Sequence, residues 1–187
     1  MKSVAFACLI LLAGSITANW ADHPPYCYFP EKYPVTMKPV DKQVNVGLYM
    51  GQWYAVFHFP DSFEKDCICS NALYAINSGG WVDVTNTCQN TKGQIETVIG
   101  TAVSVNADNT ELEVSFPQAP IKGNYWFLDF DDQNYQWAII GEPCRKDGWF
   151  LSRTKSVPRN LISYALSVYS AQGYENTDKV NYRNPNC

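Results

Sequence analysis

The chain has little of what several protein classes require. Fourteen Lys and Arg against eighteen Asp and Glu leave a formal net charge of −4. No basic stripe is therefore at hand for nucleic acid or for an acidic membrane surface. Histidine is rarer still, with only His23 and His58, and Cys67-Ile68-Cys69 is too tight for the usual zinc knuckle. A metal centre is not expected. No Asn-x-Ser/Thr sequence occurs, which removes N-glycosylation. Beyond the N-terminus no apolar run approaches the ~20 residues of a membrane span. Internal repeats and low-complexity linkers are also missing.

What is present begins with Lys2, an uninterrupted apolar stretch from Val4 to Ala13, and small residues after it. A charged start, a short apolar core and a small-residue cut site describe a secretory signal peptide over residues 1–18, cleaved after Ala18. The stretch is too short for a membrane anchor. Removing it leaves about 169 residues, the size of one domain with a real core, and makes the charge one unit more negative. It also removes Cys8. Six cysteines remain, Cys27, Cys67, Cys69, Cys88, Cys144 and Cys187. In an exported chain that even count reads as a disulfide framework, for which 15 pairings are possible.

Between Ala21 and Val40 stand Pro24, Pro25, Pro30, Pro34 and Pro39. Such density forbids helix and ladder alike, so an extended arm is expected there. From Gly51 onward strand signals come in quick succession. Trp53 to Phe59, Ser70 to Ile76, Trp81 to Cys88 and Gln94 to Val103 are separated by turns such as Ser78-Gly79-Gly80 and Thr91-Lys92-Gly93. Leu112, Val114 and Phe116 alternate with Glu111, Glu113 and Ser115, the cleanest period-two stretch present. Tyr125 to Asp129, Tyr135 to Ile140 and Trp149 to Arg153 complete eight strands at hairpin spacing. Eight antiparallel strands in sequence close into an up-and-down barrel over about 51–154 that has room for one small ligand. A two-sheet sandwich is the competing all-β arrangement. One helix follows over about 158–172, with Pro158 at its first position, an apolar stripe of Leu161, Ala165 and Val168 beside Tyr164, and Gly173 as its stop. Residues 19–187 thus read as a single domain.

Three segments carry a resemblance. Gly51-Gln52-Trp53-Tyr54 opens the first strand, Tyr125-Trp126-Phe127-Leu128 leads to Asp131 and Asn134-Tyr135, and Trp149-Phe150-Leu151-Ser152-Arg153 ends the eighth. Together they resemble the three short conserved regions of the lipocalin family. Within it the chain looks most like the branch of apolipoprotein D, the insect bilin-binding proteins and the bacterial and plant outer-membrane-type lipocalins. Tyr135 to Gly141 and the close spacing to Trp149 look most like the last group. The resemblance implies that Trp53 plugs the closed end of the barrel beneath Arg153, with Gly51 allowing close approach. A guanidinium on an indole is worth about 0.5–2 kcal/mol. These three are structural residues.

Alternation puts Ala55 and Phe57 on the inward face of Trp53, and Leu112, Val114 and Phe116 on that of the fifth strand. The pocket positions implied by the resemblance are Tyr49, Tyr74, Asn86, Phe116, Tyr125, Trp149 and Leu151. Rings there supply apolar area, while Asn86 and the tyrosine hydroxyls orient a ligand. Phe63 is a candidate for the mouth or for the arm's support. The resemblance also implies the pairs Cys69–Cys187 and Cys27–Cys144, although Cys144 lies several residues beyond the usual site. Cys67 and Cys88 are then left to each other. Parity resists this, because Cys88 shares the inward face of Asn86 while Cys67 precedes its strand. Either a bulge reconciles them or Cys88 is a thiol in the pocket.

The function that follows is an extracellular carrier of a small hydrophobic molecule: a bilin, carotenoid, fatty acid, retinoid or steroid-like lipid. No cofactor is required, a bilin or carotenoid chromophore being an option, and the chain is expected to be a monomer or weak homo-oligomer. A catalytic alternative would use the Cys88 thiol, but parity sends His58, the nearest base, to the outward face. Enzyme activity is therefore not expected. A third reading, a protein-interaction or matrix role, needs a filled barrel.

Overall fold

In the computed structural model, residues 37–60, 66–119, 122–184 and 186–187 are described. The signal segment, most of the arm, Phe63 and the Cys27 end of the expected Cys27–Cys144 pair lie outside them. A single helical turn, α1 (Val46–Tyr49), precedes β1 (Gly51–His58), β2 (Cys67–Ile76), β3 (Val82–Asn90), β4 (Ile95–Ser104), β5 (Glu111–Ser115), β6 (Gly123–Phe130), β7 (Trp137–Gly141) and β8 (Gly148–Ser152). The helix α2 (Arg159–Ala171) follows, then a 3₁₀ turn (Thr177–Lys179) and a short β9 (Asn181–Tyr182).

Each strand from β1 to β8 pairs antiparallel with the next, and β8 returns to β1, so the sheet closes on itself. A closed sheet has no free edge to template aggregation. The eight-stranded barrel is the expected one, with β9 added on β1. The alternation read in β5 holds: Leu112 is buried within, while Glu111 and Glu113 are half-buried on the outer side.

Two apolar layers result. Inside the barrel, Trp53, Phe127, Phe130, Ala138, Ile140 and Leu151 form the lower core. Outside it, α2 lays Ala165 and Tyr169 on Phe57, Trp126, Ile139 and Phe150. The wall between is buried on both faces, so β1 and β8 read as continuous apolar runs and not as alternating ones.

Continuity hides a slip in register. Tyr54 and Ala55 pair with Ser152 and Leu151, but Phe57 pairs with Phe150, so Val56 is an extra residue in the β1–β8 ladder. A bulge bends and twists the strand, as a small barrel needs at its corners. It also reverses parity beyond it. Phe57 is therefore not a cavity residue: it faces outward, with its ring 5.4 Å from that of Phe150 and 5.9 Å from that of Tyr169. His58, read as outward, pairs instead with Trp149 and is 4% exposed, its Nδ1–H donating to the Phe59 carbonyl at 2.9 Å.

The helix also departs from its reading. Pro158 has ψ 143° and caps α2 from outside instead of forming its first turn, its carbonyl accepting from the amides of Leu161 and Ile162. The stripe of Leu161, Ala165 and Val168 packs on the outer core, where Tyr169 joins it, while Tyr164 is exposed and donates its hydroxyl to Asp129. Gly173, at φ +82°, ends the helix. Its amide bonds Ser170 O and that of Tyr174 bonds Tyr169 O, the paired bonds of a Schellman stop.

Candidate ligand-binding site

The floor of the barrel is built from backbone carbonyls held by one guanidinium. Trp53 is wholly buried and donates Nε1–H to Tyr49 O at 2.8 Å. The Arg153 guanidinium carbon lies 3.8 Å from its ring centroid. Arg153 Nη1 donates to Gln52 O at 2.8 Å, Nη2 to Met50 O at 2.7 Å and to Tyr49 O and Leu48 O at 3.1 Å, and Nε to Tyr135 O at 3.2 Å. These are largely the carbonyls that α1, being a single turn, leaves without intrahelical partners. No other side chain presents so many donors in one plane. Burial lowers the Arg153 pKa, yet the group remains a cation. Gly51 sits at φ +97°, and a Cβ there would lie 3.3 Å from Arg153 Nη1; a side chain would be strained and crowded.

Above the floor the Tyr49 ring lies 4.7 Å from Trp53, 4.8 Å from Phe127 and 5.7 Å from Tyr74. The hydroxyls of Tyr49 and Tyr125 are 2.6 Å apart, and Tyr74 Oη is 3.3 Å from Tyr125 Oη. Three of the residues read as cavity positions thus form one buried hydroxyl chain. Burial raises the Tyr49 and Tyr125 phenols well above their usual pKa, and their mutual proximity adds to it. Tyr169, under the helix, is raised for the same first reason.

A phenol whose folded pKa is raised keeps its full stabilising contribution below about pH 10 and loses it as pH rises through the folded value. Absorbance at 295 nm should therefore show the exposed tyrosines ionising first. Tyr49, Tyr125 and Tyr169 should follow in a cooperative step with unfolding. One smooth wave near pH 10 for every tyrosine would contradict this packing.

Cross-strand register assigns the remaining inward positions. Ala72 opposes Trp53 and Asn86, while Tyr74 opposes Val84. Ala55 opposes Leu151, and Ile140 opposes Trp149. Val114 opposes Ala102, and Leu112 opposes Tyr125. Phe116 lies across Gly100, where a Cβ would come within 2.5 Å of its ring. The structure therefore brings Tyr49, Ala55, Tyr74, Asn86, Val114, Phe116, Tyr125, Trp149 and Leu151 onto one interior surface and leaves Phe57 outside it. Val84, Phe127 and Ile140 belong there too. Spacing by two from Asn86 and Tyr125 was the available signal for the first two.

Exposure grades along the barrel. Val82, Val84 and Ala102 are buried near the floor, whereas Val98, on the same inward face of β4 opposite Asn86, is 40% exposed. The β3–β4 end is thus the open one. Asn86 Oδ1 lies between these zones, buried and without a hydrogen-bond partner. At the rim Cys67 is bonded to Cys88. The β2–β3 register slips between Cys67 and Cys69, and Ile68 is the extra residue. That bulge brings Cys67 round to the face of Cys88, which therefore carries no free thiol. Cys69, on the opposite face, is bonded to Cys187.

Comparison with known proteins agrees with this architecture. A family model described as a lipocalin-like domain matches residues 44–185. Temperature-induced lipocalin-1 of Arabidopsis thaliana is 35% identical over 147 residues, 73% of this chain and 77% of that protein. Apolipoprotein D of Bos taurus is 30% identical over 158 residues, 76% and 81% of the two chains. Among solved structures, insecticyanin from the tobacco hornworm Manduca sexta superposes with a TM-score of 0.62 at 20% identity, covering 79% of this chain and 84% of that one.

Proposed function

The chain belongs to the lipocalin family, binders of small hydrophobic molecules, and from that premise we propose that it is an extracellular carrier holding one such ligand above the Trp53–Arg153 floor. The observation that carries this reading is Asn86. Its Oδ1 is a buried acceptor with no donor, on the inward face of β3 across from Ala72 and Val98, between the floor and the open end. A buried acceptor left unpaired costs roughly 1–3 kcal/mol, and such sites in folded proteins call for an explanation. A ligand bearing an O–H or N–H supplies the missing donor. Apolar rings around it supply the rest, since about 300 Å² of ligand surface at about 25 cal/mol/Å² yields several kcal/mol before the costs of binding.

The two disulfides suit an oxidising compartment, in keeping with the N-terminal segment read as a secretion signal. The domain is taken as residues 19–187. The thiol that a catalytic reading required is consumed in the Cys67–Cys88 bond, so binding without chemistry is the function proposed. Insecticyanin is a structural neighbour at 20% identity, which speaks for the fold; a bilin is one ligand class to test, alongside retinoids and fatty alcohols.

The test is titration of the purified protein with biliverdin, retinol and dodecanol, read by quenching of tryptophan fluorescence. Saturable one-to-one quenching by at least one is expected. Asn86→Leu should weaken that probe several-fold, the worth of one neutral hydrogen bond. Its melting temperature should hold or rise, because an unpaired acceptor is removed. Quenching by none of the three, nor by a fatty acid, would overturn the carrier reading.

A further inference from the structure

The barrel wall has a seam. β1 and β2 pair only from Gly51↔Tyr74 to Tyr54↔Asn71. Toward the open end they separate, and the C-terminal tail lies between them. β9 pairs with Phe57 and His58 on one side. The Arg183 amide then donates to Val56 O at 3.0 Å and the Asn184 amide to Ile68 O at 2.9 Å, so the tail bonds β1 and β2 in turn. The Cys69–Cys187 bond fixes its end.

A small cavity of about 10 Å³ remains in this seam, lined by Ala55, His58 and Ser70 together with Ile68, Tyr182 and Arg183. Ala55, His58 and Ser70 are inward-facing by register and Tyr182 outward against Phe57, so the cavity lies within the thickness of the wall. Its volume is that of a single oxygen-sized group. Arg183 meets it with a donor that has no acceptor. Nη1 is buried without a hydrogen-bond partner, the guanidinium carbon stands 5.1 Å from the Tyr54 ring centroid, and no carboxylate pairs with it among the described residues. Partial burial lowers its pKa, the direction expected for a cation partly withdrawn from water. Arg153 places all its donor nitrogens on five backbone carbonyls; Arg183 leaves one without an acceptor.

We propose that the seam is a subsite for the carboxylate of a hydrophobic ligand whose apolar body lies in the barrel. This rests on the carrier reading and narrows it to amphiphilic acids. A carboxylate oxygen fits the cavity and offers Arg183 Nη1 an ionised acceptor, the strongest partner for a guanidinium. Asn86, whose strand neighbour Ala72 is two residues from Ser70, is served by a separate donor group on the same molecule, since an ionised carboxylate has no proton to give.

Sodium dodecanoate and dodecanol share a chain and differ in the head group, so the pair isolates the charge. In the full-length protein, Arg183→Gln should weaken dodecanoate about tenfold, the scale of a hydrogen bond to a charged group, and leave dodecanol within about twofold. Arg183→Lys, which keeps the charge without the fork, should fall between. On the unmodified protein, the Arg183 side-chain ¹⁵N resonances should shift with dodecanoate and not with dodecanol. Equal effects on both probes, or on neither, would overturn the subsite while leaving the carrier reading intact. Failure of both probes, and of biliverdin and retinol, would remove the carrier reading and the subsite together. If sodium acetate alone moves the Arg183 resonances as far as dodecanoate does, the seam holds a free anion and the ligand-head assignment fails.

Discussion

Replacing Arg153 with methionine is expected to destabilise the fold by about 3–4 kcal/mol, the scale of losing a partly buried hydrogen-bond network. The side chain is one donor set for five carbonyls, those of Leu48, Tyr49, Met50, Gln52 and Tyr135, and it covers the Trp53 indole at 3.8 Å. Methionine keeps much of the volume but offers no donor, so carbonyls turned toward the barrel floor lose their partners. Lysine is expected to recover only a fraction, because three rotating donors cannot span α1, β1 and the β6–β7 turn at once. For a chain of this size the loss corresponds to roughly 10 °C in melting temperature. Calorimetry of Arg153→Met and Arg153→Lys checks both values. A shift of a degree or two for methionine would mean that the floor is held by packing alone.

The second large effect is expected at the tail. Cys69 and Cys187 are 118 residues apart in sequence, and closing so long a loop in the unfolded chain is worth about 4–5 kcal/mol in the chain-entropy account. The paired substitution Cys69→Ser with Cys187→Ser, which leaves no odd thiol, should cost most of that in a denaturant melt. The corresponding loss at Cys67–Cys88, separated by 21 residues, is about 3 kcal/mol by the same relation. The ordering carries a structural consequence. With Cys187 released, the tail is held in the seam by the amides of Arg183 and Asn184 and by β9, so amide exchange in β9 should speed up while that in β6 and β7 stays slow. Uniform acceleration across the barrel would show that the tail is not a separable seal.

Much of this was legible in the chain. Eight strands were visible because hairpin turns punctuate them and because strands solvated on one face, above all Glu111–Ser115, alternate. Gly51, Trp53 and Arg153 are marked by the family resemblance, and their residue types suit the tight approach, plug and planar donor set that it implies. The losses have particular causes. Phe57 was misassigned because β1 is apolar on both faces there, and a run without alternation gives no sign that Val56 interrupts the ladder. The same bulge hid the inward turn of His58. Parity alone made the Cys67–Cys88 pair look awkward until Ile68 supplied an equivalent slip. Tyr169 packs beside Leu161, Ala165 and Val168, and the Schellman stop sets the Tyr174 ring 4.9 Å from it, a contact that helical periodicity does not encode. The single turn α1 is too short for periodicity; its capping by Asn45 Oδ1 and by Arg153 makes it stable in context. Arg183 belongs to no pattern in the sequence. Its interest arises only from a gap between β1 and β2 that the tail fills.

The central claim is that an aromatic-lined interior, floored by Trp53 and Arg153 and carrying the orphaned Asn86 acceptor, is occupied in the working protein. Protein purified from its natural source, weighed by native mass spectrometry and then extracted with organic solvent, addresses it directly. The account predicts one small molecule per chain, largely apolar, with an O–H or N–H group and a carboxylate. A chain of bare mass that yields nothing on extraction, and that takes up none of the probes named above, would contradict it.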